Sequence, residues 1–66
     1  MKTILVFGMG KVGSLVGILL NKKFKVTGFD KNNPPENPGF TIINGDIKNE
    51  KLLQEVISQF DAVVSC

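Results

Sequence analysis

Three glycines, Gly8, Gly10 and Gly13, stand between a short apolar run and a helical repeat, and that junction restricts the chain more than any other feature. Thr3 to Phe7 is a brief, nearly continuous apolar segment ending at glycine, the pattern of a strand buried on both faces. From Lys11 the period changes. Val12, Leu15, Val16 and Leu19 recur at i, i+3, i+4 and i+7, which predicts one apolar stripe on a helix. Lys22 and Lys23 then fall where cations favour a helix C-terminus. A strand that passes so abruptly into a helix needs a corner without side chains. Gly8 permits the tight turn, Gly13 lets the helix approach the strands, and Gly17 extends that close packing one turn further.

The rest of the chain alternates in the same way. Phe24 to Phe29 reads as a second strand, with β-branched Val26 and Thr27 at its centre and Asp30 at its end. Between Asp30 and Gly39, Pro34, Pro35 and Pro38 forbid a regular helix and predict a loop. Phe40 to Ile43 forms a third strand closed by Asn44-Gly45. Leu52, Leu53, Val56, Ile57 and Phe60 repeat at helical spacing, with Asp46 or Asn49 available as N-cap. Ala62-Val63-Val64, within the stretch Asp61 to Cys66, gives a fourth strand.

This order predicts an α/β fold of the Rossmann type, a doubly wound parallel sheet with strands in the order 3-2-1-4 and one helix on each face. Ligands of such sheets bind at the switch point, here between the first and fourth strands. One domain, 1–66, is expected, corresponding to the amino-terminal part of that fold and therefore incomplete. An open fourth strand predicts marginal stability or self-association into a homo-oligomer.

Composition narrows the partners. A formal charge of +2 on scattered lysines gives no footprint for nucleic acid. No apolar run approaches the roughly 18 residues of a membrane span. The run Ile4 to Phe7 after Met1-Lys2-Thr3 is too short for a signal-peptide core. A single cysteine suits a reducing compartment, so a cytoplasmic location is expected. The chain has no histidine and no tyrosine, so no catalytic residue is expected within it.

Gly8-Met9-Gly10-Lys11-Val12-Gly13 follows a strand, opens a helix and has an acid 22 residues after Gly8, at Asp30. That combination predicts a dinucleotide site. Gly10 would let the backbone approach a pyrophosphate, and the amides around Lys11, Val12 and Gly13 would face it at the positive end of the helix. Asp30 would accept from the ribose hydroxyls and repel a 2′-phosphate, favouring NAD over NADP, while Lys31 partly offsets that repulsion. Lys11 itself reads as a helix-surface lysine. Asp46 and Ile47 follow the third strand, where an adenine ring would lie; an N-cap role explains Asp46 equally well. Ser65 and Cys66 would sit beside the glycine turn, Cys66 as a small buried or half-buried side chain. No metal site is expected.

Gly39-Phe-Thr-Ile-Ile-Asn-Gly-Asp-Ile-Lys48, Leu52-Leu53 and Phe60-Asp-Ala-Val-Val-Ser-Cys66 together resemble the extended and atypical short-chain dehydrogenases, which include NAD-dependent epimerases and dehydratases. The resemblance covers essentially the whole chain and implies adenine contacts at Asp46 and Ile47. It departs from the family in its G-x-G-x-x-G turn, where G-x-x-G-x-x-G is usual, and in lacking the Tyr-x-x-x-Lys pair. The implied role is therefore the cofactor-holding part of an oxidoreductase or epimerase, with the small-molecule substrate handled by a carboxyl-terminal part. The amino-terminal domains of saccharopine and lysine dehydrogenases are similar too. So are the nucleotide-sensing domains that regulate potassium channels and transporters, although those carry a helix in place of the proline-rich loop.

Overall fold

In the computed structural model, which describes residues 2–34 and 38–66, the apolar run Thr3–Phe7 is strand β1 and lies inside a four-stranded sheet. The other strands are β2 (Lys25–Asp30), β3 (Thr41–Asn44) and β4 (Ala62–Ser65). Every pairing is parallel and the order is β3-β2-β1-β4, as the alternation of elements predicts. Val6 pairs with Gly28 on one side and Val64 on the other, and Gly28 continues to Ile42. The middle of the proline-rich stretch, 35–37, lies outside the described residues, as does Met1.

Successive side chains of a strand point to opposite faces, so β1 feeds two cores. Ile4 and Val6 join Met9 and Val26 on one face, with Leu20, Phe24, Phe40, Ile42 and Val64 packed around them. Helix α1 (Lys11–Leu20) covers that face. Leu5 and Phe29 join Val56 on the other, with Leu52, Leu53 and Phe60 contributed by helix α2 (Glu50–Ile57) and the turn after it. Phe7 meets Phe29 edge to face at 5.4 Å there. One helix on each face is the doubly wound arrangement.

The stripe predicted for α1 is not the face it buries. Gly13 and Gly17 are its buried residues, while Val12, Leu15 and Leu19 remain 69%, 58% and 55% exposed. Phe40 explains part of this: a Cβ at Gly17 would fall 2.5 Å from its ring. The helix lies too low for side chains on its inner face, so the larger residues flank the contact. Its C-terminus also differs from expectation. α1 stops at Leu20 with Asn21 as C-cap and has no basic residue in its last turn, so Lys22 and Lys23 lie beyond it. Asn21 accepts instead from the Val26 N–H at 3.2 Å, tying the helix end to β2.

On the other face Asn49, not Asp46, caps α2, accepting from the Leu52 N–H at 3.2 Å. α2 ends at Ile57, earlier than the repeat through Phe60 suggests, yet Phe60 still packs into that core. No helix among the described residues is long and apolar enough to cross a membrane.

Asp61 fastens β4 to β1 at the amino edge of the sheet. Its carboxylate accepts from the Thr3 N–H at 2.8 Å and the Thr3 hydroxyl at 3.2 Å, and its own N–H donates to the Thr3 carbonyl at 3.0 Å. The two donors of Thr3 hold the Asp61 carboxyl below the ordinary carboxylate range. A pKa lowered by folding gives stability that is full above the unfolded value, about 3.9, and is lost as pH falls through the folded one. Asp61→Ala is therefore expected to lower the urea midpoint at pH 7 without changing the m-value. Its gap to the wild type should close as the pH is taken from about 5 to about 2. A gap independent of pH would exclude the Thr3 clamp as its source.

Candidate functional site

The glycine turn has four positions with four different duties. Gly8 has φ +89°, donates its N–H to the Phe29 carbonyl at 3.0 Å, and would bring a Cβ within 2.9 Å of the Cys66 carbonyl oxygen. Any side chain there is strained twice over. Met9 turns inward and is 2% exposed, its sulfur lying where a Cβ at Gly28 would be. Gly13 sits against the carbonyl of Gly8; a Cβ built on it falls 1.7 Å from that oxygen. Gly10 differs from these. It adopts ordinary extended backbone, φ −72° and ψ −166°, and a Cβ on it would meet nothing within 4 Å.

Gly10 is also the N-cap of α1, without a side-chain capping bond and with no acid in the first turn. The amides of Gly10, Lys11, Val12 and Gly13 donate to no protein group among the described residues. The first internal bond of the helix is from the Ser14 N–H to the Gly10 carbonyl at 2.9 Å. Uncapped amides and the aligned peptide dipoles make this end of α1 attractive to an anion.

Asp30 ends β2 facing the turn. One carboxylate oxygen accepts from the Met9 N–H and the other from the Asn32 N–H at 3.0 Å. Met9 first, then Asn32, holds the Asp30 carboxyl below its ordinary range, which keeps it ionised near neutrality. A carboxylate has about four lone-pair sites, so two such bonds leave capacity for a ligand.

A cleft of about 290 Å³ opens at the carboxyl ends of all four strands. Phe7 and Gly8 come from β1 and its turn, Phe29, Asp30 and Lys31 from β2, Gly45, Asp46 and Ile47 from beyond β3, and Ser65 and Cys66 from β4. Of the residues expected at the site, Gly8, Asp30, Lys31, Asp46, Ile47, Ser65 and Cys66 thus share one cavity. Gly10, Lys11, Val12 and Gly13 do not line it. They form the start of α1, joined to the cleft through Gly8 and Met9.

Several details depart from expectation. Cys66 is exposed, not buried, because it follows the last ladder bond, from its N–H to the Phe7 carbonyl at 3.0 Å. Asp46 does not cap α2; it accepts from the Lys48 N–H at 2.9 Å in a turn ahead of the helix. Ile47 is 63% exposed beside it. Sequence reasoning gave no role to Met9, Ser14 or Gly28. Ser14 donates its hydroxyl to the Met9 carbonyl at 3.1 Å. A glycine inside a strand signals close approach of another group, and that signal at Gly28 points to Met9.

Among the described residues no three histidine, cysteine, aspartate or glutamate side chains gather as a metal site. Comparison with known protein families, curated proteins and solved structures gives no match. The cleft presents the Asp30 carboxylate and no histidine or tyrosine, and the unclaimed amides at the start of α1 lie beside it.

The contrast between two glycines is measurable. Gly13→Ala drives a methyl into backbone, so a loss of about 3 kcal/mol or failure to fold is expected. Gly10→Ala meets open space and should change stability by no more than about 0.5 kcal/mol. Urea unfolding of both variants tests this, and equal losses would contradict the geometry.

Proposed function

We propose that the chain binds a dinucleotide, NAD in preference to NADP, and fixes its adenosine and pyrophosphate for chemistry carried out by groups outside these residues. The observation that supports this best is Gly10. Gly8 and Gly13 are required by the fold itself, but no described residue occupies the space beside Gly10. A glycine with room around it, at the uncapped start of a helix, suits a ligand that must come close to backbone amides.

The remaining contacts follow from chemistry. The pyrophosphate accepts from the amides of Gly10 to Gly13. The free lone pairs of Asp30 accept from the ribose hydroxyls, and its charge disfavours a 2′-phosphate, with Lys31 reducing that bias. The exposed side chain of Ile47 offers an apolar surface to adenine, and Asp46 an acceptor for its amino group. Ser65 and Cys66 border the path from the pyrophosphate along β4. Bound NAD would supply hydride transfer, and this chain would supply position and charge. In this reading the chain is the cofactor-holding part of an oxidoreductase, epimerase or dehydratase of the short-chain dehydrogenase type. The absence of histidine and tyrosine equally favours a second reading, a regulatory module whose ligand shifts a conformational equilibrium without turnover.

Calorimetric titration with NAD, NADP and ATP is expected to rank NAD first. A preference for ATP would support the regulatory module and sink the dehydrogenase reading. Gly10→Ala should weaken NAD binding about tenfold or more, roughly 1.4 kcal/mol, while leaving the unfolding midpoint nearly unchanged. Undiminished affinity in that variant would remove the turn from the site.

A further inference from the structure

Met9 is held from three directions. Its thioether fills the space left by Gly28 and touches the region of Ile42, its carbonyl accepts the Ser14 hydroxyl at 3.1 Å, and its N–H donates to Asp30. The first two grips are internal to α1 and the apolar core. The third, beside the Gly8 N–H bond to the Phe29 carbonyl, joins the turn to the end of β2 over a separation of 21 residues in sequence. We propose that Asp30 is a positioning residue for the glycine turn: by accepting the Met9 N–H it keeps the amides of Gly10 to Gly13 open to phosphate, so that anion binding depends on Asp30 even for a ligand with no ribose.

The proposal rests on the dinucleotide reading and deepens it. In that reading alone, Asp30 recognises ribose. Two features of the structure give it an earlier task. Met9 N–H is part-buried and has no other acceptor among the described residues, so loss of the carboxylate leaves a donor that must turn toward water. The residue that would turn is the one immediately before Gly10. Reorienting the peptide plane between Gly8 and Met9 disturbs the amides that follow and the approach of Gly13 to the Gly8 carbonyl. Asparagine can keep its oxygen on the Met9 N–H, so alanine, which offers no acceptor to Met9 or Asn32, is the substitution that removes the latch.

Inorganic pyrophosphate separates the two tasks because it carries no hydroxyls for Asp30 to accept from. Simple Coulomb repulsion says that Asp30→Ala, which removes a negative charge near the site, should tighten pyrophosphate binding. The latch predicts the opposite sign: affinity for pyrophosphate should fall about tenfold, together with affinity for NAD. The experiment is titration of wild-type chain and Asp30→Ala with pyrophosphate and with NAD, the variant's fold being checked by circular dichroism. A folded variant that keeps or gains pyrophosphate affinity but loses NAD overturns the latch and leaves the dinucleotide reading intact. A wild-type chain that binds neither ligand overturns both.

A second measurement needs no variant. Amide exchange of the wild type should show Met9 N–H protected both before and after saturation with pyrophosphate. Release of that amide on binding would overturn the proposal, since the latch would then be broken by the ligand it is said to serve. The binding experiment and the exchange experiment thus fail independently.

Discussion

The tightest position among the described glycines is a meeting of two pieces of backbone, Gly13 in α1 and the carbonyl of Gly8 just after β1, where a Cβ on Gly13 would fall 1.7 Å from the oxygen. With no room for a methyl between them, that approach sets the height of the helix above the sheet. A helix lying this low cannot carry side chains underneath, so Gly13 and Gly17 form its inner face and Phe40 fills the space beside Gly17. The same constraint forces the chain to leave β1 through the positive-φ conformation of Gly8. Met9 is thereby directed into the core and the next amides outward. A side chain at Gly13 would lift α1, and the lift would take the uncapped amides with it.

The sheet was legible in the sequence because strand type, glycine corner and helical spacing all agree on one topology. Five apolar residues ending at Gly8, a β-branched second strand ending at Asp30 and an apolar fourth strand admit few other arrangements. Element ends were displaced by a residue or so, as with β2 beginning at Lys25 and β3 at Thr41. The apolar period misplaced the buried face of α1, and the reason is physical. Periodicity weighs side chains, and this helix buries backbone. Val12, Leu15 and Leu19 carry the period while lying outside the contact, whereas Gly13 and Gly17, expected to pack closely, are the residues it buries.

The site was legible to a similar depth. Gly8, Asp30, Asp46, Ile47, Ser65 and Cys66 converge on one cleft because parallel strands deliver all their carboxyl ends to the same edge. What the sequence could not convey is how Asp30 is shared. A carboxylate after the second strand suggests a partner for ligand hydroxyls, but its bonds to Met9 and Asn32 depend on the turn's three-dimensional course. Gly8 for the turn and Gly13 for close packing were legible as glycines that the fold needs, whereas the neighbours filling the space beside Gly28 and Gly45 were not. Gly8, Gly13, Gly28 and Gly45 each have a neighbour where a Cβ would stand, and Gly10 has none.

Those differences divide the molecule into two edges with opposite designs. At the amino edge the backbone is closed: Asp61 takes both donors of Thr3, and the Lys25 N–H meets the Lys2 carbonyl at 2.9 Å. At the carboxyl edge the first amides of α1 are unclaimed among the described residues, and the cleft is lined by strand ends and the residues that follow them. Open amides cost stability unless something holds them in place, because a loop with unsatisfied donors can relax toward solvent. Here the support comes through Met9, seated on Gly28 in the core of the α1 face and bonded by its N–H to Asp30. The arrangement puts the rigid contact one residue away from the exposed one. An anion reaching Gly10 would meet donors whose orientation is already set by packing, so little ordering would remain to be done on binding.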